Sequence, residues 1–288
     1  MPELPEVETI VRRLSRWLPG RTVVRAEVRR ANVVRGPARR LERAVRGATI
    51  DSVGRRGKFL VFRLSDGRVW WSHLRMSGQW RVDRPRRGGR TTARARESTT
   101  GDEAYVRAVF ELDGGSRLSF VDVRTLGEME VVTAAEWARR EAAMGAEPLD
   151  SAFTSDLLSA LLAGSRRPVK EFLLDQTKVA GLGNIYAVEA LWRARVSPRR
   201  RARNVGPERA GRLHQAIVDV LSDAIGESGT SLGETSLDYV DSEGDPGGFQ
   251  DFLAVYGREG EPCRRCGTPI RRIVQGQRST YYCPTCQR

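Results

Sequence analysis

The four cysteines of the chain form two pairs with the spacing of a metal site. They occur as Cys263-x2-Cys266-x16-Cys283-x2-Cys286. Each pair places two thiolates on one tight turn, and two such turns together give the tetrahedral coordination that zinc prefers. Because this site leaves no open position, the predicted zinc ion is structural rather than catalytic. The alternative is a tail with two disulfides, and nothing else in the sequence indicates secretion.

The N-terminus could supply a nucleophile. Removal of the initiator methionine leaves Pro2 with a secondary amine, and an α-amino group has a pKa of about 8, well below that of lysine. Such an amine can attack a carbonyl-like carbon and form an iminium, and Glu3 and Glu6 follow as possible proton donors. The alternative is that Pro2 and Pro5 only frame the start of a helix, with the glutamates at its positive end.

Three further polar residues are candidates for a functional site. Lys58 enters a strand in RRGKFL, where a lysine more commonly extends from the edge of a core. His73 lies in HLRMSG, near a strand end where a histidine is usually structural, and the other histidine, His214, receives no role. Asn184 follows the glycines of GLGN, at an N-cap position that suits a phosphate or at an ordinary corner between two helices.

Composition indicates a polyanion as the partner. The chain has 288 residues and a net charge of +13, mostly from arginine, and 40% of its residues are hydrophobic. A surface this basic binds phosphates because counterions are released. The hairpin between the cysteine pairs, which carries Arg271, Arg272 and Arg278, suits the same purpose. We expect a cytosolic protein, since no apolar run could span a bilayer and MPELPEVET does not resemble a signal peptide.

The elements that position these residues change along the chain. Residues 6–18 have the periodicity of a helix that Pro19-Gly20 ends, and strand patterns follow from Thr22 to about Val132. The clearest strands are TVVRAEV, FLVFRL, RVWWSHL, YVRAVFEL and RLSFVDV, with hairpin turns at Asp66-Gly67 and Asp113-Gly114. Helices are predicted near 134–144, 155–163, 168–175, 185–194 and 208–225, and a long loop at 226–250. The predicted domains are therefore 1–133, 134–250 and 251–288.

Several motifs together resemble bacterial formamidopyrimidine-DNA glycosylase along nearly the whole chain. They are MPELPEVET, RRGKFL, HLRMSG, the DxR of Asp122–Arg124, GLGNIYAVEAL, VYGREGEPCRRCGTPI and the closing cysteine module. The resemblance implies an α+β fold: an N-terminal β-sandwich with a flanking helix, a helical domain with a helix-two-turns-helix motif, and a four-cysteine zinc finger. It also implies base excision repair, in which oxidised purines, chiefly 8-oxoguanine and formamidopyrimidines, are excised through a Schiff base.

The same resemblance implies roles for individual residues in catalysis. Pro2 matches the nucleophile that attacks C1′, and Glu3 matches the acid that protonates the sugar as its ring opens. Lys58 matches a residue that holds phosphate and assists β-elimination. Arg278 matches the zinc-finger arginine that grips the phosphate flanking the lesion and is linked to δ-elimination. The implied enzyme is therefore both a glycosylase and a lyase at abasic sites.

Other matching residues are implied to bind damaged double-stranded DNA. His73 and Asn184 match phosphate contacts, and Lys170 matches a DNA-binding lysine just before the helix-two-turns-helix. Met76 and Arg124 match residues that fill the gap left by the flipped base. A base inside a duplex hides C1′, so the nucleotide must be extruded and its lost stacking offset. We expect a monomer in the bacterial cytoplasm that is associated with the nucleoid through DNA.

The sequence departs from the family pattern in three places. Leu126 stands where the family usually has a phenylalanine wedge, which puts the search for lesions in doubt. The basic loop at 83–103 precedes a strand where relatives often have paired histidines, and only Tyr105 is nearby. The loop after Gly229 is somewhat lengthened, which puts base preference in doubt.

Two alternative functions remain open. A pyrimidine-specific glycosylase of the same superfamily would keep Pro2, Glu3 and Lys58 and would differ in the wedge and in the loop over the base. A non-catalytic DNA-binding protein would explain the charge, the zinc and the helix corner. It would not explain the proline amine, because DNA binding alone does not need one.

Overall fold

The structure is a computed structural model that describes residues 2–84, 103–232 and 239–288. It divides into two compact units, Met1–Glu141 with Ser228–Gly248, and Ala142–Glu227 with Phe249–Arg288. Most of the basic loop predicted at 83–103 lies outside the described residues. No helix within the described ranges is long and apolar enough to cross a membrane.

The first unit is a β-sandwich with a helix at its start. Two antiparallel sheets have the strand orders β1-β6-β7-β5 and β2-β3-β4-β8. The helices are α1 (Leu4–Leu14), α2 (Ala38–Val45) and α3 (Ala134–Ala142). The strands are β1 (Val23–Val28), β2 (Ile50–Arg56), β3 (Phe59–Leu64), β4 (Val69–His73), β5 (Gly78–Asp83), β6 (Val106–Leu112), β7 (Arg117–Asp122) and β8 (Glu128–Val132).

Aromatic side chains join the two sheets. The Trp70 ring on β4 lies 4.6 Å from Phe110 on β6 and 5.4 Å from Trp80 on β5, measured between ring centroids. Phe62 stacks on Trp70, and Phe120 packs against Trp80. Edge-to-face and stacked pairs of this kind add to the burial of apolar area. The inward faces of both sheets thus form one core, and the predicted sandwich is confirmed.

Strand β4 is buried on both faces, which explains why VWWSH does not alternate between polar and apolar residues. Trp70 faces the other sheet, while Trp71 on the opposite face receives the guanidinium of Arg140 from α3 at 4.1 Å. Trp137 of the same helix contacts the Phe59 ring. Helix α3 therefore covers the outer face of the second sheet and holds strands β3 and β4 in place.

Helix α1 differs from the helix predicted at 6–18. It begins at Leu4, because Pro5 fits the first turn, where the proline nitrogen has no hydrogen bond to lose. It ends at Leu14, and the next residues form tighter turns in which Trp17 N donates to the carbonyl oxygen of Leu14. The stop therefore comes before Pro19.

The second unit combines helices with a cysteine-bearing hairpin. Its helices are α4 (Ser155–Ala163), α5 (Val169–Leu173), α6 (Asn184–Arg193) and α7 (Pro207–Gly226), and its strands are β9 (Arg271–Gln275) and β10 (Arg278–Tyr282). The carboxylate of Glu189 on α6 is buried and accepts the backbone N–H groups of Ala254, Val255 and Tyr256 at 2.8–2.9 Å. Glu189 thus fixes the chain that leads into the cysteine module.

Candidate active site and nucleic-acid interface

The chemistry predicted for the N-terminus lies at the first turn of α1. Glu3 is the N-cap residue, is 2% exposed, and donates its backbone N–H to Glu6 Oε2 at 2.7 Å. Pro2 is buried immediately before it. Both carboxylates lie at the positive end of the helix dipole. Helix capping therefore fixes Glu3 beside Pro2. The same geometry is compatible with both alternatives for the N-terminus, a helix start and a catalytic site.

A second segment of the first unit contacts this turn. Thr230 N donates to Glu6 Oε1 at 2.9 Å, and the Tyr239 hydroxyl donates to the Glu6 carbonyl oxygen at 3.3 Å. Gly229 has a φ of +89°, and a Cβ atom there would lie 2.9 Å from Glu6 Oε1. Glu6 therefore links the N-cap of α1 to the loop after Gly229. The sequence pattern missed this role because Thr230 is 224 residues away. Residues 233–238 of the loop lie outside the described ranges.

Lys58 and His73 lie on neighbouring strands. Lys58 immediately precedes β3 and is buried, while His73 ends β4 and pairs with Phe59 across the ladder. The turn before Lys58 is fixed by Arg55, whose guanidinium donates to the Gly57 carbonyl oxygen at 2.9 Å. The structure therefore brings these two predicted site residues together at one end of the second sheet.

His73 is a neutral ring at physiological pH. Burial, together with the positive charges of Arg75 and Lys58, lowers its pKa to about 3. Its Nδ1 accepts the backbone N–H of Arg75 at 3.0 Å. In the neutral ring the proton is therefore on Nε2. His73 can offer one N–H donor to a phosphate oxygen, but it brings no charge.

We expect the His73 ring to stay unprotonated as the pH falls from about 8 to about 5. The unfolded chain takes up this proton near pH 6.5, whereas the folded chain takes it up only at about pH 3. The free energy of unfolding therefore decreases as the pH is lowered from about 6.5 towards about 3, by up to about 1.4 kcal/mol per pH unit. NMR of a His214→Gln variant observes His73 alone. A midpoint near 6.5 would contradict this prediction, and His73→Gln should remove its part of the acid sensitivity.

Two turns of the sandwich present exposed side chains. Met76, between β4 and β5, is 42% exposed, and Leu126, between β7 and β8, is 49% exposed. Arg124 is exposed beside Leu126. Each turn contains a residue in the left-handed backbone region, Arg75 with φ 54° and Thr125 with φ 55°. Because this conformation costs a non-glycine residue about 1 kcal/mol or more, the surroundings must hold both turns in shape.

Asp122 holds both turns. Its buried carboxylate accepts the Ser77 hydroxyl at 2.5 Å and Arg124 N at 3.2 Å through Oδ1, and Gly127 N at 2.6 Å through Oδ2. Ser77 belongs to the first turn, whereas Arg124 and Gly127 belong to the second. A Cβ atom at Gly127 would lie 2.5 Å from the Phe120 ring. The DxR motif contains Asp122, but its link to Ser77 arises only from the pairing of β5 with β7.

Asn184 and Arg278 lie close together in the second unit. Asn184 Nδ2 donates to the carbonyl oxygen of Ser279 at 2.9 Å. Arg278 is the residue before Ser279 and is exposed at the tip of the hairpin, opposite Gln275. The prediction that Asn184 is an N-cap was wrong, because Gly183 occupies that position. The Asn184 side chain contacts the hairpin instead and joins it to the helix corner.

Lys170 lies on α5 and is fully buried. Its backbone belongs to a helix whose first residue, Val169, donates its N–H to the carbonyl oxygen of Arg200 at 2.7 Å. A side chain so enclosed must become accessible before it can contact a phosphate. Its role in DNA binding therefore stays a prediction.

The four thiols meet the requirements of a tetrahedral zinc site. The Sγ atoms of Cys263, Cys266, Cys283 and Cys286 all lie within 4.8 Å of one another, and all four cysteines are free thiols. Zinc–sulfur bonds of about 2.3 Å place tetrahedral sulfurs about 3.8 Å apart. Hydrogen bonding with Thr268 lowers the pKa of the Cys266 thiol to about 6, which favours the thiolate that a metal needs. The prediction of one structural zinc ion is confirmed.

We expect a chelator to release the zinc and abolish DNA binding while the β-sandwich stays folded. The buried core shared by the module and α6 is small: Val188, Val255, Ile270, Cys263 and Cys283. So small a cluster needs the metal to stay ordered. Metal analysis should find one zinc per chain, and near-ultraviolet circular dichroism from the tryptophans of the sandwich should persist after chelation. Loss of that signal, or binding that survives chelation, would contradict the prediction, and added zinc should restore binding.

Family models match most of the chain. The N-terminal domain of formamidopyrimidine-DNA glycosylase matches residues 1–129, its H2TH domain matches residues 144–236, and the zinc finger found in FPG and IleRS matches residues 260–288. The fold and the four-thiol site therefore place the protein in the class of DNA glycosylases with a zinc finger.

Individual relatives agree with these matches. The formamidopyrimidine-DNA glycosylase of Pelotomaculum thermopropionicum is 40% identical over 100% of this chain and 99% of its own length. The MutM (FPG) structure from Thermus thermophilus has 40% identity and a TM-score of 0.84, covering 99% of this chain and 98% of that chain. A Lactococcus lactis FPG complex with Fapy-dG-containing DNA has 32% identity and a TM-score of 0.86, covering both chains fully. The chain belongs to the formamidopyrimidine-DNA glycosylase family.

Proposed function

We propose that this protein excises oxidised purines, chiefly 8-oxoguanine opposite cytosine and formamidopyrimidines, from duplex DNA and then cleaves the abasic strand by β,δ-elimination. The observation that carries the proposal is the first turn of α1, where capping holds the buried Glu3 carboxyl next to Pro2. Lactococcus lactis relatives in complex with Fapy-dG-containing DNA and with abasic-site DNA support the same substrate class.

The proposed reaction begins with the Pro2 amine. Its nitrogen lone pair attacks C1′ of the damaged nucleoside, the bond from C1′ to the base breaks, and the base leaves with the bonding electrons and takes up the proton that the Pro2 nitrogen loses. Glu3 donates a proton to the sugar oxygen as the ring opens, which gives the iminium between Pro2 and C1′. The iminium acidifies the C2′ proton, and its loss expels the 3′ phosphate. Lys58 assists this step, and Arg278 assists the second elimination.

The remaining site residues are proposed to position the DNA. His73 donates Nε2–H to a phosphate oxygen, and Asn184 and Lys170 contribute further phosphate contacts. Met76 and Arg124 enter the space that the flipped nucleotide leaves. Leu126, exposed on the same turn as Arg124, takes the wedge position in place of the usual phenylalanine. An aliphatic wedge offsets less lost stacking than an aromatic ring.

We also propose the functional division and setting of the protein. Residues 1–133 carry the chemistry, residues 134–250 form the helical DNA-binding domain, and residues 251–288 form the zinc-finger hairpin. The protein acts as a monomer on damaged double-stranded DNA in the bacterial cytoplasm, associated with the nucleoid through its substrate.

Borohydride trapping on a set of duplexes tests the proposed function. Reduction of the iminium should join the protein covalently to DNA that contains 8-oxoguanine opposite cytosine, but not to undamaged DNA. Trapping on oxidised pyrimidines alone would favour the pyrimidine-specific alternative. Binding without any trapping would favour a non-catalytic DNA-binding protein and would overturn the proposal.

Arg278 should contribute one phosphate contact. We expect Arg278→Ala to weaken binding to damaged and undamaged duplexes and to flatten the plot of log affinity against log salt by about one unit. Arg278→Lys should restore the slope but only part of the strand cleavage, because lysine keeps the charge and loses the bidentate fork. An alanine variant with the parental salt slope and parental strand cleavage would remove Arg278 from the site.

A further inference from the structure

The second unit contains an open cavity of about 630 Å³ that arginines line. Its positive charges come from a loop after α6 and from the last residue of the cysteine module. The lining side chains that matter here are Arg199, Arg200, Arg201, Arg288, Pro284 and Gln287. None of the described residues that line the cavity is acidic.

Both walls of the cavity are fixed before any ligand arrives. On the loop side, Arg200 O accepts Val169 N at 2.7 Å, and Ala202 N donates to Arg167 O at 2.8 Å. On the module side, the buried Gln287 side chain donates to the Val196 carbonyl oxygen at 3.0 Å and accepts Cys283 N at 2.8 Å. Because Cys283 is a zinc ligand, the metal also orders this wall.

The charge of the cavity is not neutralised within the described part of the chain. None of its guanidiniums forms an ion pair with a carboxylate there, whereas Arg13 contacts both Asp241 and Glu243. Arg200 Nη1 donates to the carbonyl oxygen of Asn204 at 3.3 Å, but the buried Arg200 Nε has no hydrogen-bond partner among residues 2–84, 103–232 and 239–288. Buried donors are normally satisfied, so this one is suited to an anionic oxygen from outside the chain.

The loop is joined to the hairpin that carries Arg278. Gln275 Nε2 on β9 donates to the carbonyl oxygen of Pro198 at 3.3 Å, immediately before the arginine run. The arginine run begins in a turn, in which Arg200 N donates to the carbonyl oxygen of Ser197 at 3.0 Å. A small anion would occupy only part of so large and open a cavity. The occupant that fits is therefore a polymer of phosphates.

We propose that this cavity binds the phosphate backbone of duplex DNA at positions away from the lesion. The inference rests on the proposed function only in taking duplex DNA as the ligand, and it adds a site that excision itself does not require. Guanidiniums bind phosphate in bidentate fashion and contribute affinity without reading sequence. The cavity would thus hold the enzyme on undamaged DNA between lesions.

The test separates binding from chemistry. R199A/R201A/R288A removes three exposed arginines, and R16A/R39A/R46A removes the same charge from exposed positions of the first unit. Affinity for an undamaged duplex of about 40 base pairs, about four helical turns, is measured across a salt series. The cavity variant should bind at least tenfold more weakly and lower the salt slope by about two to three units, while the control variant changes affinity less than threefold.

Excision on an 8-oxoguanine duplex at saturating enzyme is measured in parallel and should stay within twofold of the parent for both variants. Unchanged affinity and slope in the cavity variant would overturn the inference, as would tight binding of inorganic pyrophosphate that leaves duplex affinity unaltered. An equal loss in both triple variants would also overturn it. If the parent protein binds duplex but is not trapped on damaged DNA, the proposed chemistry is refuted. The comparison of duplex affinity between the two triple variants still tests the cavity. Thermal unfolding of each variant checks the fold.

Discussion

A protein that carries any residue ahead of Pro2 will form no borohydride-trapped adduct with damaged DNA. Acylation turns the proline amine into a tertiary amide, whose nitrogen lone pair is delocalised into the carbonyl group and which has no N–H proton to lose, so it can neither attack C1′ nor form the iminium. Pro2 is also buried where the chain enters α1. We expect strand cleavage to fall at least about 10³-fold, the scale of losing a covalent nucleophile.

The matched control is the same extension placed after Arg288. This protein should trap DNA as well as the parent, and mass spectrometry should verify that Met1 is absent from it. Affinity for uncleaved damaged duplex should be similar in the two proteins. A blocked protein that still forms the adduct in full would exclude Pro2 as the nucleophile.

The second large effect is expected for Glu3→Gln. The amide keeps the size and the N-cap position of the side chain but cannot donate the proton that opens the sugar ring. Loss of a positioned general acid lowers rates about 10²- to 10⁴-fold. Because the backbone N–H of Glu3 still donates to Glu6, the start of α1 should remain folded. Single-turnover excision and gel-shift affinity are measured together, and we expect affinity within threefold of the parent.

Glu8→Gln is the control on the same helix. Glu8 accepts from Arg12 and Arg55 at 2.8 and 2.9 Å, so its loss disturbs α1 and its contact with β2 without altering the proposed proton donor. Excision should be retained in this variant. If Glu3→Gln loses affinity and excision in parallel, and Glu8→Gln does the same, then Glu3 has a structural role only.

The inner strands of the sandwich could be predicted from the sequence, and most of its edge strands could not. Strands β3, β4, β6 and β7 have neighbours on both sides and carry the dense aromatic and β-branched runs that the sequence shows. Strands β2, β5 and β8 are edges, and their runs IDSVGRR, GQWRVD and EMEVV mix charge into the pattern. Polar edges prevent pairing with other chains, and the same polarity weakens the signal that predicts a strand.

The candidate site divides in a similar way. The cysteine pairs could be assigned to zinc because each pair lies on one local turn. The motifs at Pro2 and Asn184 could be recognised for the same reason, since each is a short segment. Asp122 and Glu6 could not be assigned, because each acts by joining segments that are distant in sequence. The sequence shows only that residues 199–201 are positively charged. The cavity could not be predicted, because it forms only where the cysteine module packs beside this run.

The Asp122 carboxylate holds both exposed turns, the one with Met76 and the one with Leu126, and this has a mechanical consequence. Separating stacked bases takes a few kcal/mol over a rise of about 3.4 Å, so an inserted side chain meets a resisting force of about 1 kcal/mol per Å. A flexible loop would yield before the bases did. The hydrogen bonds of Asp122 instead transmit that force into β5 and β7, whose ladder spreads it over the sheet. If Met76 and Leu126 enter the stack as proposed, the stiffness of the sandwich, rather than the size of these two side chains, limits how far the stack can be opened.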